Sequence, residues 1–111
     1  MQKIPAPNFT LVDNQGRRVS LEDYKGKIVV LDFWATWCIP CLEAFPGMNK
    51  LKKQYQNDKD VVFLFINTSE TFTKDLTKNI NSYLKKQGYN FHVLIDEKSI
   101  IDGVNKYILN T

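Results

Sequence analysis

The sequence predicts an α/β fold on a mainly parallel sheet, from three observations. Two nearly continuous apolar runs, Ile28–Trp34 and Val61–Asn67, are rich in β-branched and aromatic residues. That pattern suits strands covered on both faces. Each run is followed by apolar residues at spacings of three and four, the mark of a helix with one buried face. Strands alternating with helices favour parallel pairing through right-handed crossovers.

Taken in order, residues 1–8 carry Pro5 and Pro7 and are expected to run extended. Phe9–Val12 and Arg17–Ser20 read as short strands around the turn Asp13-Asn14-Gln15-Gly16. Ser20 can cap a short turn over Leu21–Tyr24 that stops at Gly26. After the first apolar run, Leu42, Phe45, Met48, Leu51 and Tyr55 mark one face of a helix that starts after Cys38 and that Pro46 should kink. After the second run, Phe72, Leu76, Ile80, Tyr83 and Leu84 form another stripe, closed by Gly88. Phe91–Ile95 reads as a third strand of the parallel set. Ile100, Ile101, Val104 and Ile108 suggest a last short helix behind Ser99.

A chain of 111 residues suits one compact domain, residues 1–111, and no internal linker, repeat or low-complexity tract divides it. The formal charge of +3 comes from 15 basic and 12 acidic residues spread along the chain. This is a solvated surface and argues against nucleic-acid binding. The densest basic spots, Lys50, Lys52, Lys53 and Lys85, Lys86, fall where helices should end and suit the helix dipole. No apolar run approaches the roughly 18–20 residues needed to span a bilayer. The opening MQKIPAPNF has no apolar segment of a secretory signal, which leaves the compartment open.

The chemistry concentrates in FWATWCIPC, residues 33–41, which holds both cysteines of the chain. Such a pair could be a structural staple, half a zinc site or a reactive dithiol. A zinc site would need further ligands from His92 and carboxylates or from another chain. A staple across so short a loop gives little entropic stabilisation. The placement favours redox chemistry. Cys38 stands where the strand gives way to a helix, whose N-terminus favours thiolate over thiol. Pro40 is pre-shaped for the first helical turn. Asp32 sits inside the apolar strand, six residues before Cys38, where an unpartnered buried carboxylate costs several kcal/mol. His92 reads as a packing or surface residue rather than a base.

FWATWC, with its preceding strand and its proline-bearing helix, resembles the active-site segment of the thioredoxin superfamily. The wider frame, APNFTLVDNQG followed by VSLEDYKGKIVVLDFWATWC, is closer to the TlpA/ResA-like branch of bacterial thiol-disulfide oxidoreductases. The resemblance runs almost continuously over residues 4–46. It implies a thioredoxin-like fold with an N-terminal β-hairpin extension. It also implies catalytic roles for Cys38 as nucleophile, Cys41 as the more buried resolving thiol, and Asp32 as the group that assists its deprotonation. Trp37, Ile39 and Pro40 would offer the substrate-contact surface, with packing the lesser alternative for Trp37; Trp34 belongs to the core. Pro46 holds the family's helix-kinking position. No metal and no cofactor is expected. The partners implied are protein thiols and disulfides, in a bacterial cell envelope or periplasm.

This sequence departs from the family pattern in three places. The dipeptide between the cysteines is Ile-Pro rather than Gly-Pro, and Leu42 stands where a basic residue is common. The C-terminal ββα portion with its cis-proline loop has no counterpart, since the four prolines are Pro5, Pro7, Pro40 and Pro46. Without that portion, strand 28–34 would be an exposed apolar edge. The expectation is a homodimer through this strand or a chain of low stability, unless residues beyond Thr111 complete the sheet. The leading function is thiol-disulfide exchange. The alternatives are a non-catalytic thioredoxin-like fragment or binding domain and, with less support, a thiol peroxidase. Peroxiredoxins share the opening, but their P-x-x-x-T-x-x-C context is absent before Cys38.

Overall fold

The computed structural model describes residues 8–70 and 74–96. The elements are β1 (Thr10–Asp13), β2 (Arg18–Ser20), a 3-10 turn (Leu21–Tyr24), β3 (Ile28–Trp34), α1 (Ile39–Gln54), β4 (Val61–Asn67), α2 (Leu76–Gln87) and β5 (Val93–Ile95). The extension around Pro5 and Pro7, the place of Phe72 in the second stripe, and the last helix behind Ser99 lie outside the described residues.

The strands form one sheet in the order β2-β1-β5-β4-β3. β3, β4 and β5 are parallel, and the β1–β2 hairpin joins antiparallel at β5. The hairpin turns where Gly16 takes φ +83, a conformation open to glycine at little cost. The Ser20 amide donates to Asp23 Oδ2 at 2.9 Å, tying off the 3-10 turn at its start.

Side-chain alternation along the strands divides the core in two. On one face Trp34, Phe45, Phe63, Phe65, Ile80, Leu84, Phe91, Val93 and Ile95 bury against one another. Both helices lie on this face, α1 through Phe45 and α2 through Ile80 and Leu84. On the other face Leu64, Ile66 and Leu94 pack with Phe9, Leu11 and Val19 of the N-terminal hairpin. Gly88 ends α2 in the left-handed conformation, φ 74, after Lys85 and Lys86 in its last turn.

Three sequence expectations need correction. β3 is not covered on both faces along its length. Its middle is half-buried and Ile28 is 66% exposed, while its pairing with β4 alone among the described residues matches the edge position expected from the sequence. An apolar run reports what a strand can bury, not how much of it is covered. Leu51 and Tyr55 do not join the buried face of α1 but are exposed. Phe45 is the only fully buried residue of α1, and Tyr55 at its C-cap touches the core only from the rim, 6.4 Å from Phe63 between ring centroids. The third strand is shorter than Phe91–Ile95, since pairing as a strand begins at Val93. Even so, the His92 carbonyl accepts from the Phe65 amide at 3.0 Å.

His92 has a structural partner. Its Nε2 lies 3.0 Å from Oδ2 of Asp13, which is 1% exposed. Burial pushes the Asp13 carboxyl up. The amides of Arg17 and Gln15, His92 and the Arg17 guanidinium together outweigh that and hold it below its ordinary value. A carboxyl depressed in this way stabilises the fold above its unfolded pKa, and that contribution is lost as the pH falls through the folded value.

Candidate redox site

The two cysteines sit where β3 hands the chain to α1. Ala35 to Cys38 form a tight turn, closed by the Cys38 amide donating to the Ala35 carbonyl at 3.1 Å. Cys38 is the N-cap of α1 with an extended backbone, φ −88 and ψ 93, and its carbonyl accepts the Leu42 amide at 3.1 Å. Ile39 and Pro40 open the helix. Pro40 removes no needed donor there, because the first-turn amides have no helical partner. No acidic residue lies in that first turn. The positive end of a 16-residue helix therefore faces the sulfurs uncompensated from within the helix.

Cys38 and Cys41 are joined by a disulfide, with their α-carbons 5.3 Å apart. Both residues are half-buried, and Cys41 is the one that packs against the cluster around Phe45. Among the described residues no group of three or more His, Cys, Asp or Glu side chains could hold a metal ion. Trp37 and Ile39 are 59% and 60% exposed and Pro40 is exposed, so an apolar rim surrounds Cys38.

Asp32 lies two residues before Trp34 on β3 and opposite Phe65. By strand alternation it shares a face with Val30 and Trp34, the face that α1 covers. Burial pushes its carboxyl up, and no hydrogen bond or ion pair to it occurs among the described residues. His92 is elsewhere. It directly precedes β5, which β4 separates from β3, and is engaged with Asp13.

Sequence reading missed the second layer of the site. The segment after β4 reaches over the Ala35–Cys38 turn. Glu70 Oε2 accepts the Thr36 amide at 2.6 Å, and its Oε1 accepts the Thr36 hydroxyl at 2.6 Å. The Asn67 side-chain amide donates to Glu70 Oε2 at 2.7 Å, and the Trp37 indole N–H donates to the Ser69 carbonyl at 2.9 Å. The one available signal was position: Asn67 to Glu70 follow the carboxyl end of a parallel strand, where α/β sheets place their sites.

A parallel sheet with an antiparallel N-terminal hairpin, and a disulfide-bonded Cys-x-x-Cys at a strand-to-helix junction, define a thioredoxin-like protein. The chain belongs to the AhpC/TSA family, whose pattern matches residues 3–104. It is 37% identical over 99 residues to the thiol-disulfide oxidoreductase ResA of Bacillus subtilis, covering 88% of this chain and 52% of that one. The crystal structure of a thioredoxin-family thiol:disulfide interchange protein from Chlorobium tepidum superposes with a TM-score of 0.75 at 30% identity, over 96% of this chain and 70% of that one. The pneumococcal exposed lipoprotein thioredoxin Etrx1 from Streptococcus pneumoniae gives a TM-score of 0.68 at 30% identity, over 86% and 71%. The chain spans about half the length of the curated relative.

Proposed function

We propose that the protein is a thiol-disulfide oxidoreductase acting on protein thiols and disulfides through Cys38 and Cys41. The observation that carries this reading is the disulfide at the α1 N-terminus, rimmed by exposed apolar side chains. In the reducing direction the Cys38 thiolate attacks one sulfur of a substrate disulfide. A mixed disulfide forms and the first substrate thiolate leaves. The Cys41 thiolate then attacks Cys38 Sγ, the mixed disulfide breaks, and the second substrate thiolate leaves. The enzyme ends with the Cys38–Cys41 bond, and two electrons have passed to the substrate. Trp37, Ile39 and Pro40 supply apolar contact for an extended substrate segment. Reduction of insulin disulfides by dithiothreitol tests this: turnover above the uncatalysed rate is expected. Its absence would leave a thioredoxin-like binding module.

Asp32 is the proton acceptor for Cys41 in this reading. A carboxyl raised by burial is a better base than an ordinary one and gains from accepting the proton. Asp32→Asn is expected to slow release of the mixed disulfide about a hundredfold, the low end of the range typical of lost acid–base assistance. Single-turnover kinetics across pH 6–9 read this out. Stability gives an independent check. A raised folded pKa means that the native state holds the proton more tightly than the unfolded chain. Wild-type stability is therefore full below the ordinary carboxylate range and falls as the pH rises through the raised value. The asparagine variant stays neutral, so its urea midpoint should gain on wild type as the pH rises. Parallel midpoints across the series would refute the assignment.

Two finer readings complete the proposal. The described residues share one sheet, which supports a single domain over 1–111. The β3 edge, apolar and unpaired on one side among the described residues, suits pairing with a second copy in a homodimer. Sedimentation equilibrium should show a dimer that Ile28→Lys weakens; a wild-type monomer at every concentration would end this reading. An envelope location is supported by the sequence resemblance and by the likeness to an exposed lipoprotein thioredoxin.

A further inference from the structure

We propose that Glu70 is a positioning residue for the redox pair, and that its hydrogen bonds to the turn before Cys38 set how readily the Cys38–Cys41 disulfide closes. This rests on the oxidoreductase reading and deepens it.

The turn that delivers Cys38 to α1 has two central residues, Thr36 and Trp37, and both are held from the 67–70 segment. Glu70 takes Thr36 with both carboxylate oxygens, one on the amide and one on the hydroxyl. It is itself steadied by Asn67, a fully buried residue at the end of β4. Trp37 is held separately through the Ser69 carbonyl. The base of this arrangement is the sheet, because the Thr68 amide donates to the Trp34 carbonyl at 2.9 Å and the Asp96 amide to the Asn67 carbonyl at 2.8 Å. Thr68 is tied to Asp96 in turn, its hydroxyl donating to Oδ2 at 3.1 Å. The clamp thus joins the Cys38 turn to the most buried strand of the fold, across 34 positions of sequence.

The disulfide requires one conformation of the Ala35–Cys38 turn, and the dithiol tolerates several. A clamp that fixes the turn raises the effective concentration of one thiol at the other. It favours the disulfide and lowers the reduction potential. Glu70→Ala leaves the Thr36 amide, the Thr36 hydroxyl and the Asn67 side-chain amide without their acceptor. Glu70→Gln can restore all three contacts. The new carbonyl takes the Thr36 and Asn67 donors, and the new amide donates to the Thr36 hydroxyl oxygen.

The experiment is equilibration with glutathione, counting alkylated thiols by mass. The reaction is one protein disulfide plus two glutathione thiols giving one protein dithiol plus glutathione disulfide. Glu70→Ala should shift the equilibrium toward dithiol about tenfold, equivalent to about 30 mV. Thr36→Val, which removes only the hydroxyl contact, should shift it the same way by about threefold. Glu70→Gln should stay within twofold of wild type. A Glu70→Ala equilibrium unchanged from wild type overturns the proposal. So does a Glu70→Gln shift as large as that of alanine, which would mean that the charge and not the hydrogen bonding is at work. If Glu70→Ala does not fold by circular dichroism, Thr36→Val decides, and no shift there overturns the proposal. The measurement needs no protein substrate. Failure of insulin reduction by the wild type would count against the oxidoreductase reading and leave this test standing.

Discussion

On the proposed mechanism, Cys38→Ser should abolish disulfide exchange and Cys41→Ser should arrest it halfway. A serine hydroxyl gives no anion at neutral pH and forms no disulfide, so the loss at position 38 is on the order of a thousandfold or more in insulin reduction. At position 41 the first exchange still proceeds, because Cys38 remains at the helix N-terminus. The mixed disulfide then has no internal nucleophile to resolve it. It should accumulate as a covalent adduct, visible on non-reducing gels and released by dithiothreitol. Stability separates this loss from misfolding. The chain-entropy formula gives a ring this small about 2 kcal/mol, so both variants should remain folded. An active Cys38→Ser variant, or a Cys41→Ser variant that turns over without an adduct, would overturn the assignment of the two roles.

The adduct also bears on Asp32. If Asp32 serves Cys41, Asp32→Asn should make wild-type cysteines behave partway toward Cys41→Ser, with a transient adduct that decays slowly. Replacing Asp32 in the Cys41→Ser background should then change nothing further, since the step it assists is already gone.

Much of this fold was legible because its signals are local. The apolar runs gave β3 and β4 their bounds, and the three-four stripe with Gly88 gave α2 its end. Cys38 at a strand-to-helix junction needed only the neighbouring pattern. What escaped reading depends on residues far apart in the chain. How little of β3 is covered is a property of the sheet and of what packs on it, not of its own seven residues, although its edge position followed from the family frame. Leu51 and Tyr55 fit the stripe of α1, but whether a stripe is covered depends on where the helix lies across the sheet. Glu70 carried no pattern at all. Its importance comes from Thr36 arriving beside it, and nothing near either residue announces the other. The same holds for His92, whose partner Asp13 lies 79 positions away.

Phe45→Ala should cost about 3–5 kcal/mol, the usual range for emptying a fully buried aromatic site. That is a fifth or more of the roughly 5–15 kcal/mol that holds a small domain folded. Phe45 has no exposed surface, and four of its ring neighbours, Trp34, Phe91, Phe65 and Tyr89, have centroids within 5.2 to 6.1 Å. Such edge-to-face pairs add about 0.5–1.5 kcal/mol each to the area term. Phe45 is also the only residue of α1 that is buried outright. The helix that carries the thiols therefore docks around this ring, seven residues beyond Cys38, with Cys41, Leu42 and Met48 packed half-buried beside it. Pro46 beside it withholds the amide that the Leu42 carbonyl would accept in a regular helix. Phe45 thus sits beside a turn that already lacks one helical hydrogen bond. A guanidinium titration should show the midpoint fall steeply for Phe45→Ala and by less than half as much for Phe45→Leu, which refills most of the volume. In the alanine variant that remains folded, the disulfide should also become easier to reduce, since a looser α1 no longer holds Cys41 against Cys38. A midpoint lowered by less than 1 kcal/mol equivalent would show that α1 is held by contacts other than this ring.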